Sequence, residues 1–153
     1  MRAVKWVKNM SKEKLVGTWK LISAEYRRAD GSAIDYLGKN PVGQLMYDAR
    51  GNMSIQLMRR DRPAFAINDR AGGTPQEAKA ALDGYLAYFG TFDVNETQGT
   101  VTHHIIGCAF PNWVGVDQTR HYELSGNRLT LRTPTLMIQG AQVNGQLVWE
   151  RAE

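Results

Sequence analysis

Leu15-Val16-Gly17-Thr18-Trp19-Lys20-Leu21-Ile22-Ser23-Ala24-Glu25-Tyr26 is the stretch that decides the fold. A Gly-x-Trp turn leads into an alternating run. Trp19, Leu21, Ser23 and Glu25 fall on one face, and Thr18, Lys20, Ile22, Ala24 and Tyr26 on the other, the period-two pattern of a half-buried strand. The motif is echoed at the far end by Trp149 and Arg151. An antiparallel barrel that closes its first strand on its last needs a bulky plug at one end. An indole with a guanidinium stacked on it supplies one, worth about 0.5–2 kcal/mol. With Trp19 inward, Glu25 is expected to point inward too.

Working outward, Ser11, Lys14 and Leu15 suggest one short helical turn before this strand, a cap for an open barrel end. Asp30-Gly31 marks a turn, followed by a short strand at 33–36. Residues 43–48 and 52–59 form a hairpin around Asp48-Ala49-Arg50-Gly51-Asn52. Residues 60–74 break the pattern. Thr74-Pro75-Gln76-Glu77 is then a capping box with proline at the first helical position. From there Ala78, Ala81, Leu82, Tyr85, Leu86 and Phe89 fall at three- and four-residue steps, which predicts a helix over 75–89 ending at Gly90. Strands return at 91–94, 99–108, 118–124, 128–133, 136–139 and 143–151, where Asn144-Gly145 is either a turn or an interruption of the last strand. The expected fold is mainly β, an antiparallel up-and-down barrel of about eight strands with one inserted α-helix.

At 153 residues, with 42% apolar and 22% charged, the chain reads as one soluble globular domain: a leader over 1–12 and a barrel over 13–153. No apolar run reaches the length of a membrane span, and Lys5 and Lys8 interrupt anything resembling a secretory signal, so a cytoplasmic location is expected. The net charge of +4 is dispersed rather than gathered into a basic stripe interleaved with aromatics, which argues against a nucleic-acid partner. Cys108 stands alone and ends an apolar strand, as a buried inert thiol would.

Leu15 to Glu25 resembles the opening of the calycins, the lipocalins and fatty-acid-binding proteins. The stretches Pro41-Val42-Gly43-Gln44-Leu45-Met46-Tyr47-Asp48, Met53-Ser54-Ile55-Gln56-Leu57-Met58-Arg59, Thr102-His103-His104 and Phe110-Pro111-Asn112-Trp113-Val114-Gly115 are similar to the small bacterial and fungal lipocalin-like domain family. The resemblance spans residues 13–151. It implies the barrel and the binding of one small, largely apolar molecule, with no cofactor. It also implies an alternative, since small barrels of this kind have been recruited as cofactor-independent isomerases, cyclases or dehydratases of polyketide, terpenoid or aromatic metabolites.

An eight-stranded barrel encloses room for side chains or for one small ligand, so the lumen residues carry the chemistry. Neighbouring strand residues face opposite ways, hence one of His103 and His104 points inward, as a candidate acid/base or as a histidine hydrogen-bonded across strands. The spacing offers no two-histidine metal clamp, and no cysteine cluster supports zinc. Arg120 and Tyr122 share a face and could stabilise an oxyanion; an inward Arg120 needs a partner, either Glu25 or the carboxylate, phenolate or enolate of a ligand. On the 52–59 strand, Ser54, Gln56 and Met58 are the candidate cavity face, leaving Met53, Ile55 and Leu57 to pack under the helix. Tyr85 and Tyr88 at the helix end, Phe110 and Trp113 in their loop, and Gln44 complete the candidate ligand contacts. Gly72-Gly73-Thr74 precedes the helix and could offer amides to a phosphate, but neither Gly-x-x-x-x-Gly-Lys nor Gly-x-Gly-x-x-Gly is present, and the site is dismissed.

Overall fold

The computed structural model describes residues 10–153. Of the expected leader, residues 1–9 lie outside the described residues and 10–12 open a helix. In chain order the elements are α1 (Met10–Leu15), β1 (Gly17–Arg28), β2 (Ala33–Ile34), β3 (Val42–Tyr47), β4 (Asn52–Met58), α2 (Pro75–Asp83), β5 (Tyr85–Asn95), β6 (Thr100–Cys108), a single 3-10 turn (Pro111–Trp113), β7 (Asp117–Ser125), β8 (Arg128–Arg132), β9 (Leu136–Ile138) and β10 (Ala141–Arg151). Eight strands, in the order β1-β3-β4-β5-β6-β7-β8-β10, close through antiparallel pairing of β10 with β1, while β2 and β9 are short additions at one end. Closure leaves no barrel edge unpaired.

The two ends of the chain seal the bottom of the barrel. Trp19 and Trp149 are wholly buried, and the Trp19 Nε1–H donates to the Leu15 carbonyl at 2.9 Å. Arg151 lies 4.3 Å above the Trp19 ring and donates to the carbonyls of Val16 and Lys14 at 2.8 and 2.6 Å, so one guanidinium caps α1 and stacks on the plug. Glycine at position 17 follows from this arrangement. Its φ of +138° disfavours a side chain, and a Cβ there would sit 2.5 Å from Arg151 Nη1.

Three sequence expectations are corrected. Glu25 is exposed and pairs with Arg27 at 3.3 Å, because a register shift between Leu21 and Ser23 reverses the alternation and brings Tyr26 inward instead. The helix ends at Asp83 rather than Phe89, capped by Gly84; the same residues also carry a period-two pattern, with Leu86, Tyr88 and Phe92 buried, and pairing along β4 over Asn52–Met58 outweighs a short helix that buries none of its residues. Asn144-Gly145 neither turns nor interrupts β10. Gly145 faces Tyr26 in the neighbouring strand, and a Cβ there would meet that ring at 2.6 Å.

Gly90 marks the tightest contact between β5 and β6, at their register shift. A Cβ at 90 would fall 1.8 Å from the His104 carbonyl oxygen, so Gly90→Ala must prise the strands apart. We expect a loss of at least about 1–3 kcal/mol, read as a lower urea midpoint; an unchanged midpoint would show that the two strands separate freely there.

Candidate functional site

β6 settles which histidine is internal. His103 is wholly buried, while His104 lies on the outside between Asp117 and Asp93, its Nδ1 and Nε2 at 2.7 and 2.9 Å from their carboxylates. His104 is therefore removed from the catalytic candidates.

Three inward side chains meet His103 of β6, making a cluster of four: Tyr47 from β3, Tyr88 from β5 and Arg120 from β7. The Tyr47 hydroxyl lies 2.7 Å from Nε2, and the Tyr88 hydroxyl 2.7 Å from Nδ1. Arg120 directs Nε at Nδ1 from 3.4 Å and donates through Nη2 to the Tyr88 oxygen at 2.8 Å and to Gln118 Oε1 at 2.7 Å. A guanidinium can only donate, so Nδ1 is an acceptor and the Tyr88 hydroxyl donates to it. The ring hydrogen then sits on Nε2 and is given to Tyr47. The result is a directed chain, Arg120 to Tyr88 to His103 to Tyr47, in which Arg120 fixes the histidine tautomer.

Electrostatics keep this chain neutral except at Arg120. Burial, joined by the nearby Arg120 charge, holds the His103 imidazolium well below the ordinary histidine value. Burial also raises Tyr88, opposed by Arg120, and raises Tyr47 and Tyr26. For Arg120, burial works against the charge, but the oxygens of Tyr88, Tyr47 and Tyr26 outweigh it and the guanidinium stays protonated. Among the described residues no carboxylate comes within ion-pairing distance of it. A buried cation held only by neutral acceptors is suited to an incoming anion.

Tyr88 and Arg120 line an internal cavity of about 20 Å³, together with Tyr26, Tyr36, Trp113, Trp149 and aliphatic side chains; His103 and Tyr47 stand behind that wall. Tyr36, Leu86 and Trp113 also border a groove of about 790 Å³ at the top of the barrel, walled by α2, the Phe110-Trp113 turn, Met137 and Ile138. The groove is of ligand size, and the cavity holds the chemistry at its foot. Across the groove Arg62, from the segment 60–74, lies 5.1 Å over the Tyr85 ring and donates to the Ala81 carbonyl at 3.1 Å.

The remaining candidates separate by face. Tyr122 shares the inner face of β7 with Arg120 but is half-buried and makes no hydrogen bond to the four. Ser54, Gln56 and Met58 are on the outer face, since Met53, Ile55 and Leu57 are the buried set; there Gln56 donates to Ser54 at 2.9 Å. The expectation failed because the helix that was to cover the aliphatic face instead sits at the barrel mouth. Gln44 is exposed on the outside of β3. Phe110 and Trp113 stack edge-on at 5.7 Å in the mouth, and Tyr85 lines the groove. At Gly72-Gly73-Thr74, dismissed as a phosphate site on its sequence, the Glu77 carboxylate accepts from the amides of Thr74 and Ala66 at 2.9 and 2.8 Å. Sequence reasoning missed Tyr47, Tyr26 and Gln118; the alternation of Tyr47 with buried Leu45 and of Gln118 with Arg120 was the available signal.

A closed antiparallel barrel of eight strands, sealed by pairing of its first strand with its last, is the calycin, lipocalin-like architecture. The chain belongs to the lipocalin-like domain family, matched over residues 16–152. It is 33% identical over 106 residues to the 4'-hydroxy-3'-methoxypropiophenone carrier protein ppsC of Aspergillus oryzae, an alignment covering 65% of this chain and 96% of that protein. Among solved structures it is similar to a lipocalin-like protein from Bacteroides uniformis (14% identity, 90% of this chain and 98% of that one, TM-score 0.46). It is also similar to fatty-acid-binding protein 1 of Echinococcus granulosus (13% identity, 92% and 99%, TM-score 0.41).

The outer histidine gives a pH prediction. Hydrogen bonds to Asp117 and then Asp93 raise His104 above its ordinary value of 6.5. A base whose folded value is raised stabilises fully below its unfolded value and loses that contribution as pH climbs through the folded one. Wild type should therefore exceed His104→Gln in thermal midpoint near pH 5.5, with the gap closing as pH rises past the raised value. A gap that widens with pH would contradict the bridge.

Proposed function

We propose that the protein is a cofactor-independent acid–base enzyme of the isomerase, cyclase or dehydratase class, acting on a small, largely apolar metabolite that carries a carbonyl or acidic hydroxyl. The observation that carries this reading is the Tyr88–His103 hydrogen bond, with the tautomer fixed by Arg120 and Tyr88 on the cavity wall. A carrier needs a cation or a hydroxyl to hold an oxygen; it has no need of a neutral imidazole of fixed tautomer behind the group that touches the ligand.

For a carbonyl substrate, Tyr88 takes the proton of the adjacent carbon while its own hydroxyl proton passes to His103 Nδ1. The C–H electron pair moves onto the carbonyl oxygen, and the resulting enolate faces Arg120. The imidazolium then returns its proton through Tyr88, to another carbon for an isomerisation or to a departing oxygen for loss of water. Burial that disfavours imidazolium at rest makes this return rapid. The groove holds the apolar body and fixes its conformation.

The second reading is a non-catalytic carrier, favoured by the name of the Aspergillus oryzae relative; 4'-hydroxy-3'-methoxypropiophenone is an aryl ketone and a phenol, so both readings point to one ligand chemistry. Native mass spectrometry of protein purified from its own host, with extraction of what is released, names the compound to test. Conversion of that compound on re-incubation supports the enzyme. Stoichiometric rebinding without conversion supports the carrier, and a protein that takes up no such compound contradicts both.

A further inference from the structure

Three polar groups on the wall of the small cavity have hydrogen-bonding capacity that the protein leaves unused. Trp149 is wholly buried, lines the cavity, and its Nε1–H has no partner among the described residues. Its counterpart Trp19, in the same barrel, spends its own N–H on the Leu15 carbonyl. Tyr26 is 4% exposed and lines the same cavity, yet no hydrogen bond joins its hydroxyl to any of the described residues. Arg120 uses Nε and Nη2 on His103, Tyr88 and Gln118, and its Nη1 makes no hydrogen bond among the described residues.

Such groups are costly to leave unpaired, and native interiors rarely do so. The fold nevertheless invests in placing Tyr26 here. The register shift in β1 turns it inward, Gly145 clears space for its ring, and Tyr36 packs edge-on against it at 5.0 Å and 89°. The rest of the lining is Ile55, Leu57, Leu86, Leu131, Leu136 and Leu147, with Tyr36, Tyr88 and Trp113 and with Thr133, whose hydroxyl is already engaged by the Pro134 carbonyl and the Gly145 amide. The guanidinium and the indole can only donate. A volume of about 20 Å³ admits one atom of oxygen size and excludes a ring.

We propose that Trp149 Nε1, the Tyr26 hydroxyl and Arg120 Nη1 form a receptor for a single acceptor oxygen, and that it selects ligands entering oxygen-first: an aryl or conjugated ketone, or a phenolate, whose body remains in the groove beyond Trp113. On the catalytic reading above, on which only this clause rests, the same three donors hold the enolate oxygen while Tyr88 works on the neighbouring carbon. Amines and hydrocarbons of the same shape are rejected, the first by the guanidinium and the second by donors left dry.

The test compares acetophenone with α-methylstyrene, which replaces the carbonyl oxygen by a methylene at nearly constant shape. Binding is followed by calorimetry and by the Trp149 indole N–H resonance in nitrogen-15-labelled protein. The ketone should bind at least tenfold more tightly than the alkene and shift the Trp149 resonance downfield. Tyr26→Phe, which removes only a hydroxyl, should narrow the ratio severalfold by weakening the ketone alone, and Trp149→Phe should narrow it further. Equal affinities in the wild type, no uptake of the ketone, or a ratio unchanged in Tyr26→Phe overturns the receptor. Because the readout is binding, a protein that discriminates the ketone and turns nothing over would remove the acid–base reading and leave the receptor standing.

Discussion

Trp19→Ala should lower the free energy of unfolding by about 3–5 kcal/mol, the upper range for a large aromatic removed from a core. Three losses coincide. The indole is wholly buried, so its volume becomes a cavity at the barrel bottom. The Leu15 carbonyl loses its donor, and Arg151 loses the ring on which it lies, although its contacts to the Lys14 and Val16 carbonyls, the Ser11 amide on Glu96 and the Lys12–Asp93 pair still tether α1. Arg151→Ala, which keeps the indole, should cost less, about 1–2 kcal/mol from the stacking and the charged hydrogen bonds. Urea unfolding of both variants checks the order. A larger loss from Arg151→Ala than from Trp19→Ala would mean that the guanidinium, and not the ring, closes the barrel.

Tyr88→Phe should lower turnover by about 10²–10⁴, the range for removing a positioned acid–base group, while affinity for a substrate analogue stays within about tenfold. The substitution keeps the ring and its packing. It deletes the one hydroxyl that touches the cavity, His103 and Arg120 together. The split between rate and affinity separates the proposals, since a carrier has no rate to lose. A fall in affinity matching the fall in rate would place Tyr88 in ligand retention alone.

The barrel itself was legible in the sequence because its signals are local. Gly17, Trp19 and Arg151 specify a closure that needs no knowledge of the rest of the chain, and the hairpin at Asp48–Asn52 carries its own turn residues. The helix boundary was not, because Tyr85, Leu86, Tyr88 and Phe89 satisfy a helical stripe and a strand alternation at once, and only the partner strand decides between them. Glu25 and Tyr26 exchanged faces through one bulge, which leaves no mark in a periodic pattern. That single residue of register hid half of the site. It kept the expected carboxylate out of the barrel and turned a tyrosine inward, onto the cavity wall, in its place. On β6 the sequence narrowed the choice to two histidines and could not pick one, since their surroundings differ only in strands more than ten residues away: Tyr47 and Tyr88 inside, Asp93 and Asp117 outside.

Hydrogen exchange at carbon is the most direct measure of what the cluster does. Propiophenone in deuterium oxide, followed by proton NMR, reports removal of the proton beside its carbonyl without requiring that the natural substrate be known. The acid–base account predicts that wild-type protein exchanges it at least about a hundredfold faster than Tyr88→Phe at equal concentration. Identical slow exchange with both proteins, while the ketone remains bound, would contradict catalysis and leave a barrel that only holds its ligand.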